Sequence, residues 1–148
     1  MKILVINGPN LNMLGRREAK HYGTDILQSI ERALIEKARA LGCKLTFFQS
    51  NHEGGIIDFI QEKALQADGI LINPGALTHY GYSLHDALVD AGLPVVEVHL
   101  SDIHAREEWR QISVISDVVI KQIAGLKTQG YLLGLEALVN HIRSQEGK

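Results

Sequence analysis

A single cysteine, Cys43, leaves no partner for an internal disulfide. Its setting, Leu41-Gly42-Cys43-Lys44-Leu45, reads as a small residue entering a strand. Aromatic residues are scarce, at 5%, which argues against a base-stacking platform, and a formal charge of -2 gives no electrostatic reason to bind nucleic acid or an acidic membrane surface. No apolar run is long enough to span a bilayer. The N-terminal MKILVING enters a strand pattern at once, without a signal-peptide apolar region, so the cytoplasm is the expected compartment. Three common α/β signatures are also missing: there is no GxxxxGK[ST] loop, no GxGxxG after the first strand and no GxSxG elbow.

What is present is an ordinary globular composition, 22% charged and 45% apolar, over 148 residues, a length suited to one domain, 1–148, with a full core. Apolar runs alternate with helix-period segments throughout. Ile3-Leu4-Val5-Ile6 predicts a first strand. Asp25 and Gln28 predict a capping box for a helix whose face carries Ile26, Ile30, Ala33, Leu34, Ala38 and Leu41, closed by Gly42. Leu45 to Gln49 predicts a second strand, followed by a helix with Ile56, Ile57, Ile60, Ala64 and Leu65. Gly69 to Asn73 and Pro94 to Val98 predict two further strands around a helix from about Ser83 to Ala91. Val118 to Ile123 predicts a weaker fifth strand, where Lys121 and Gln122 suggest a sheet edge, and Thr128 is expected to cap the last helix. Five strands with intervening helices imply a flavodoxin-like α/β fold, a five-stranded parallel sheet with helices on both faces. Ligands of such sheets bind beyond the carboxyl ends of the strands.

Three segments at that edge carry candidate chemistry. The first, Asn7 to Gly23, is too long for a routine connection, and Gly15 and Gly23 bracket its basic part as candidate hinges. A solvated charged loop is the plain reading of this composition, but Tyr22 keeps company with Arg16 and Arg17. A phenol, with pKa ~10, acts as a base near neutrality only where cations favour its phenolate. In the second, Asn73 to His79, the Asn73 amide can meet a ligand oxygen and Gly75 lets backbone approach closely. Simple satisfaction of loop carbonyls by Asn73 and His79 reads equally well there. In the third, Glu97 and His99 stand two apart on one strand and so share a face. A carboxylate beside an imidazole fixes its tautomer and favours the protonated form that a general acid needs. Free N–H groups around Leu100 and Ser101 suit a carboxylate. A metal set of His99, Asp102 and His104 lacks any recognised ligand spacing.

Taken jointly, these segments resemble a known family. Asn7-Gly8-Pro9-Asn10-Leu11-Asn12, Leu14-Gly15-Arg16-Arg17-Glu18 and Tyr22-Gly23 are similar to the N-terminal signature of type II 3-dehydroquinate dehydratases. Gln49 to Gly54, Asn73 to His79, Glu97 to Ser101, His104 to Arg110 and Gln129-Gly130-Tyr131 resemble its later motifs in order and spacing, over almost the whole chain. The resemblance implies a cofactor-free anti elimination of water from 3-dehydroquinate through an enolate, in the shikimate pathway. It implies Tyr22 as base for the C2 proton, with Arg17 and Arg106 favouring its phenolate, and Asn10 stabilising the enolate through a water. His99, oriented by Glu97, would protonate the departing C1 hydroxyl. Asn73 and the backbone of Leu100 and Ser101 would hold the carboxylate, and His79 and Arg110 the ring hydroxyls. The family lid corresponds to Arg17–Tyr22, and its dodecamer of four trimers would let Asp86 reach a neighbouring subunit's site. Ala19, Val114 and Asp117 depart from the family's usual residues, outside these roles. A non-catalytic flavodoxin-like module for a small anion is the competing expectation, since one fold hosts many functions. A binder, however, has no use for an ordered acid and base. A flavin protein fits less well, because the first loop is no short Ser/Thr-rich phosphate cradle.

Overall fold

A computed structural model describes residues 1–148. Five parallel strands, β1 (Lys2–Asn7), β2 (Lys44–Gln49), β3 (Gly69–Asn73), β4 (Val95–His99) and β5 (Lys121–Ala124), form one sheet in the order β2-β1-β3-β4-β5. A short α1 (Ala19–Tyr22) sits inside the first loop. The longer helices are α2 (Leu27–Leu41), α3 (Glu53–Lys63), α4 (Tyr82–Ala91) and α5 (Thr128–Glu146). Successive strand residues face opposite sides. Ile3, Val5, Leu71, Val96 and Val98 accordingly pack under α2 and α5, whereas Leu4, Ile6, Ile70, Ile72 and Val95 pack under α3 and α4. The expected flavodoxin-like fold with helices on both faces is what the chain adopts.

Several local expectations need correction. Helix α2 starts at Leu27, after Ile26, whose N–H donates to Ser29 Oγ at 3.1 Å. The Asp25–Gln28 capping box does not form, and Ile26 is exposed instead of lining the apolar face. Asp25 accepts instead from the Thr128 hydroxyl at 2.5 Å, so Thr128 is the first residue of α5, and its hydroxyl serves the α2 entry instead of capping its own helix. Leu65 belongs to a 3-10 turn after α3 and is 96% exposed, because the helix that would have turned it inward ends at Lys63. Strand β5 begins later than Val118. Val118 and Val119 pack against the α3–α4 side before the chain reaches the sheet. β5 is an edge strand, as Lys121 suggested.

The chain leaves β1 towards β2 on one side and later fills β3, β4 and β5 on the other. The carboxyl ends of β1 and β3 therefore lie at the topological switch point, where such sheets open a crevice. Two loops are pressed together there. A Cβ on Gly8 would stand 2.3 Å from Pro74 O, and one on Gly75, which has φ +59, would stand 2.9 Å from Pro9 O. Only glycine lets these backbones meet. A buried bridge ties the same strand ends: the Tyr131 hydroxyl donates to Asn7 Oδ1 at 2.6 Å and accepts from Asn73 Nδ2 at 2.9 Å.

Candidate active site

The crevice holds a pocket into which ten of the expected residues converge. Asn10, Arg17 and Tyr22 come from the first loop, and Asn73 and His79 from the β3 end. His99, Leu100, Ser101, Arg106 and Arg110 come from the β4 end and the segment after it. Glu97 stands behind His99, fully buried. Asp86 alone is apart. It lies on α4, with its carboxylate 80% exposed and 3.3 Å from His85 Nδ1.

Tyr22 is embraced by cations. Arg106 Nη1 donates to its hydroxyl oxygen at 2.8 Å, and the Arg17 guanidinium lies over its ring, 3.6 Å from the centroid. A phenol oxygen that accepts a charge-assisted bond is already arranged as its conjugate base requires. Burial holds Arg17 below its ordinary value. Tyr22 opposes that shift, while the neighbouring charges of Arg106 and Arg110 add to it. Three guanidiniums around one pocket favour an anionic occupant.

The opposite wall carries the imidazole. His99 Nε2 and Glu97 Oε2 are 2.6 Å apart. A carboxylate only accepts, so Nε2 bears the hydrogen and Nδ1 is left for the pocket. Burial pushes the Glu97 carboxyl up, yet hydrogen bonds and charge from His99, with further bonds from Ser113 and Gln122, bring it below its ordinary value. The site thus keeps a carboxylate in a dry interior.

The remaining groups are donors and acceptors with free valences. Asn73 uses Oδ1 on Gly75 N–H and one Nδ2 hydrogen on Tyr131, which leaves the second hydrogen for a ligand. The N–H groups of Leu100 and Ser101, both buried, donate to no acceptor in the chain. Buried orphan donors at a pocket wall form a seat for a carboxylate. His79 Nδ1 lies 2.7 Å from the Ile112 carbonyl, so that nitrogen carries the hydrogen. Burial depresses its basicity, and Nε2 therefore presents a lone pair. Arg110 pairs with Glu107 and lies over Trp109, 4.0 Å from its centroid, and Trp109 meets His79 edge-on. Asn10 adopts a left-handed conformation, φ 70, with its N–H held by Asn51 Oδ1 at 3.0 Å.

The alternative metal set is not brought together. His99 is committed to Glu97, His104 Nε2 lies 2.8 Å from Gln122 Oε1, and Asp102 Oδ1 accepts the His104 N–H. Sequence reasoning missed Thr78, Ser113 and Gln122, all of which donate to Glu97. One signal was available for Gln122, which sits in register with Glu97 on the neighbouring strand. A polar residue inside an edge strand marks the edge, but here it also faces a buried carboxylate. Of the residues that depart from the family's usual pattern, Asp117 pairs with His85 Nε2 at 3.0 Å, which raises the imidazole, and Val114 packs on the α3–α4 side.

An open α/β sheet with a cation-supported phenol, a carboxylate-held imidazole and an anion seat at its switch point defines a general acid–base enzyme for a small carboxylate. The chain belongs to the class II dehydroquinase family, whose model matches residues 1–139. It is 57% identical over 139 residues to the 3-dehydroquinate dehydratase of Roseiflexus castenholzii, covering 94% of this chain and 88% of that protein. It is 54% identical over 142 residues to that of Halothermothrix orenii, covering 96% of each. The crystal structure of type II dehydroquinase from Butyrivibrio crossotus superposes with a TM-score of 0.90 at 46% identity, covering 93% of this chain and 97% of that one.

Proposed function

We propose that this chain is a hydro-lyase that converts 3-dehydroquinate to 3-dehydroshikimate in the shikimate pathway, through an enolate and with no cofactor. The relatives carry the name of this activity over nearly their whole length and this chain's. The observation that carries the mechanistic reading is the opposed pair in one pocket: a Tyr22 oxygen accepting from Arg106, and a His99 ring whose Nε2 is tied to Glu97.

In this reading the substrate carboxylate sits on the Leu100 and Ser101 N–H groups and the free Asn73 hydrogen. His79 and Arg110 hold the ring hydroxyls. The Tyr22 phenolate, favoured by Arg17 and Arg106, takes the C2 proton, and the electron pair moves into the carbonyl to give an enolate, which Asn10 steadies through a water. The enolate then expels the C1 hydroxyl, which leaves as water with the Nδ1 proton of a His99 imidazolium whose Nε2–H stays on Glu97, and the C1–C2 double bond forms. Positioned proton transfer of each kind contributes about 10² to 10⁴-fold. No electrons are gained or lost overall, so the chemistry asks for no redox carrier. Asp86, exposed and outside its own pocket, would serve a neighbouring subunit's site in a dodecamer of four trimers. No helix is long and apolar enough to cross a membrane, and the reading sets the enzyme in the cytoplasm.

The test is incubation of the purified protein with 3-dehydroquinate while the enone absorbance of 3-dehydroshikimate is followed. Steady growth of that absorbance, abolished by Tyr22→Phe, is the expected result. No product from the folded protein would overturn the reading in favour of an anion-binding module.

A further inference from the structure

An exposed histidine outside the pocket is wired to the buried carboxylate within the site. Glu97 Oε2 receives Gln122 Nε2 at 2.7 Å as well as His99 Nε2 and the Thr78 hydroxyl, and Ser113 occupies Oε1. Gln122 reaches it from β5, in register across the sheet. An amide has a donor end and an acceptor end, and its acceptor end is also engaged: Oε1 lies 2.8 Å from His104 Nε2. His104 is exposed and belongs to the turn Ile103–Ala105, which Asp102 caps. With a ring N–H on Oε1, turning the amide over would set oxygen against the Glu97 carboxylate and N–H against N–H. Both contacts would then be repulsive.

We propose that Gln122 is a positioning residue for the Glu97–His99 pair, and that His104 locks its amide so that the donor end faces Glu97. This rests on the reading of His99 as the proton donor. Every hydrogen in the chain then runs towards Glu97, from His104 through Gln122 on one side and from His99 on the other. The titratable groups around Glu97 are His99 on its own strand, His79 on the loop after β3, and His104 beyond Gln122. A carboxylate that loses one of its donors holds a proton more tightly. Protonated Glu97 supports the His99 imidazolium less well, so activity is lost at a higher pH on the acid side.

The experiment compares Gln122→Leu, His104→Leu, His104→Gln and the double leucine variant in the full assembled chain. It reads kcat and KM against pH, together with the ¹³C titration of the Glu97 carboxyl without substrate. Gln122→Leu should lower kcat about tenfold. KM should stay unchanged, because Gln122 and His104 do not line the pocket. The acid limb and the carboxyl titration should move upward together. His104→Leu should move both in the same direction by less, His104→Gln should restore them through its own amide N–H, and the double variant should match Gln122→Leu. Additive effects, or an acid limb and carboxyl titration that stay in place, would overturn the lock. If Gln122→Leu does not fold, the two His104 variants at their exposed position decide the matter alone. A carboxyl titration that moves while kcat stays constant would overturn the role given to His99, not the lock.

Discussion

Replacing Tyr131 with Phe removes one oxygen and leaves two buried asparagines without their shared partner. Asn7 and Asn73 are 1% and 3% exposed, and the Tyr131 hydroxyl is the group that joins them. Burial, only partly offset by the Asn73 bond, pushes this phenol far above its ordinary value, so it stays a neutral donor at any working pH. Each buried amide atom left unpaired costs about 1–3 kcal/mol. The pair predicts a loss of about 2–6 kcal/mol, and at about 2–4 °C per kcal/mol for a chain of this size, a Tm lower by roughly 4–24 °C. Because Asn73 also lines the pocket, its looser amide should raise KM more than it lowers kcat. Urea unfolding at fixed protein concentration, with the slope m compared, measures the first effect, and steady-state kinetics the second. A loss under about 0.5 kcal/mol, within the range of ordinary surface substitutions, would refute the bridge as the device that fixes the two strand ends.

Three further outcomes follow from the same geometry. Trypsin should cut the Arg16–Gly23 loop near the exposed Arg16 or Lys20, or at the half-buried Arg17, and saturating product should slow the cut; equal rates would exclude a lid. Glu97 is held below its ordinary value of 4.5, so the stability it contributes is present above that pH and lost as pH falls through its native value. Glu97→Gln should therefore flatten stability against pH on the acid side in urea titrations, and an unchanged slope would contradict the network. Sedimentation should show a mass far above 16.4 kDa, with Asp86→Ala impairing activity; a fully active monomer would remove Asp86 from the site.

Much of this was legible in the sequence because burial leaves a periodic trace. The apolar runs Ile3 to Ile6 and Ile70 to Ile72 became central strands, and the Glu97–His99 spacing placed both side chains on one face. Ends were harder to read, because caps are decided by distant partners. Asp25 and Thr128 each look like a local cap, yet they bond to each other across 103 positions of chain. Thr78, Ser113 and Gln122 escaped for the same reason. A hydroxyl or an amide acquires a role only when folding sets it beside a buried charge. Leu65 was misassigned because helical periodicity does not reveal where the helix stops.

The central claim is that Tyr22 takes the C2 proton and His99 protonates the leaving hydroxyl, two steps on one path. Proton NMR in heavy water separates them. His99→Ala keeps the phenol with Arg17 and Arg106, so it should place deuterium at C2 of 3-dehydroquinate faster than it forms product. Its dehydration should fall about 10² to 10⁴-fold, or roughly 3 to 5 kcal/mol in the barrier. Tyr22→Phe should abolish both exchange and dehydration. Exchange that persists in Tyr22→Phe and disappears in His99→Ala would contradict the assignment of base and acid.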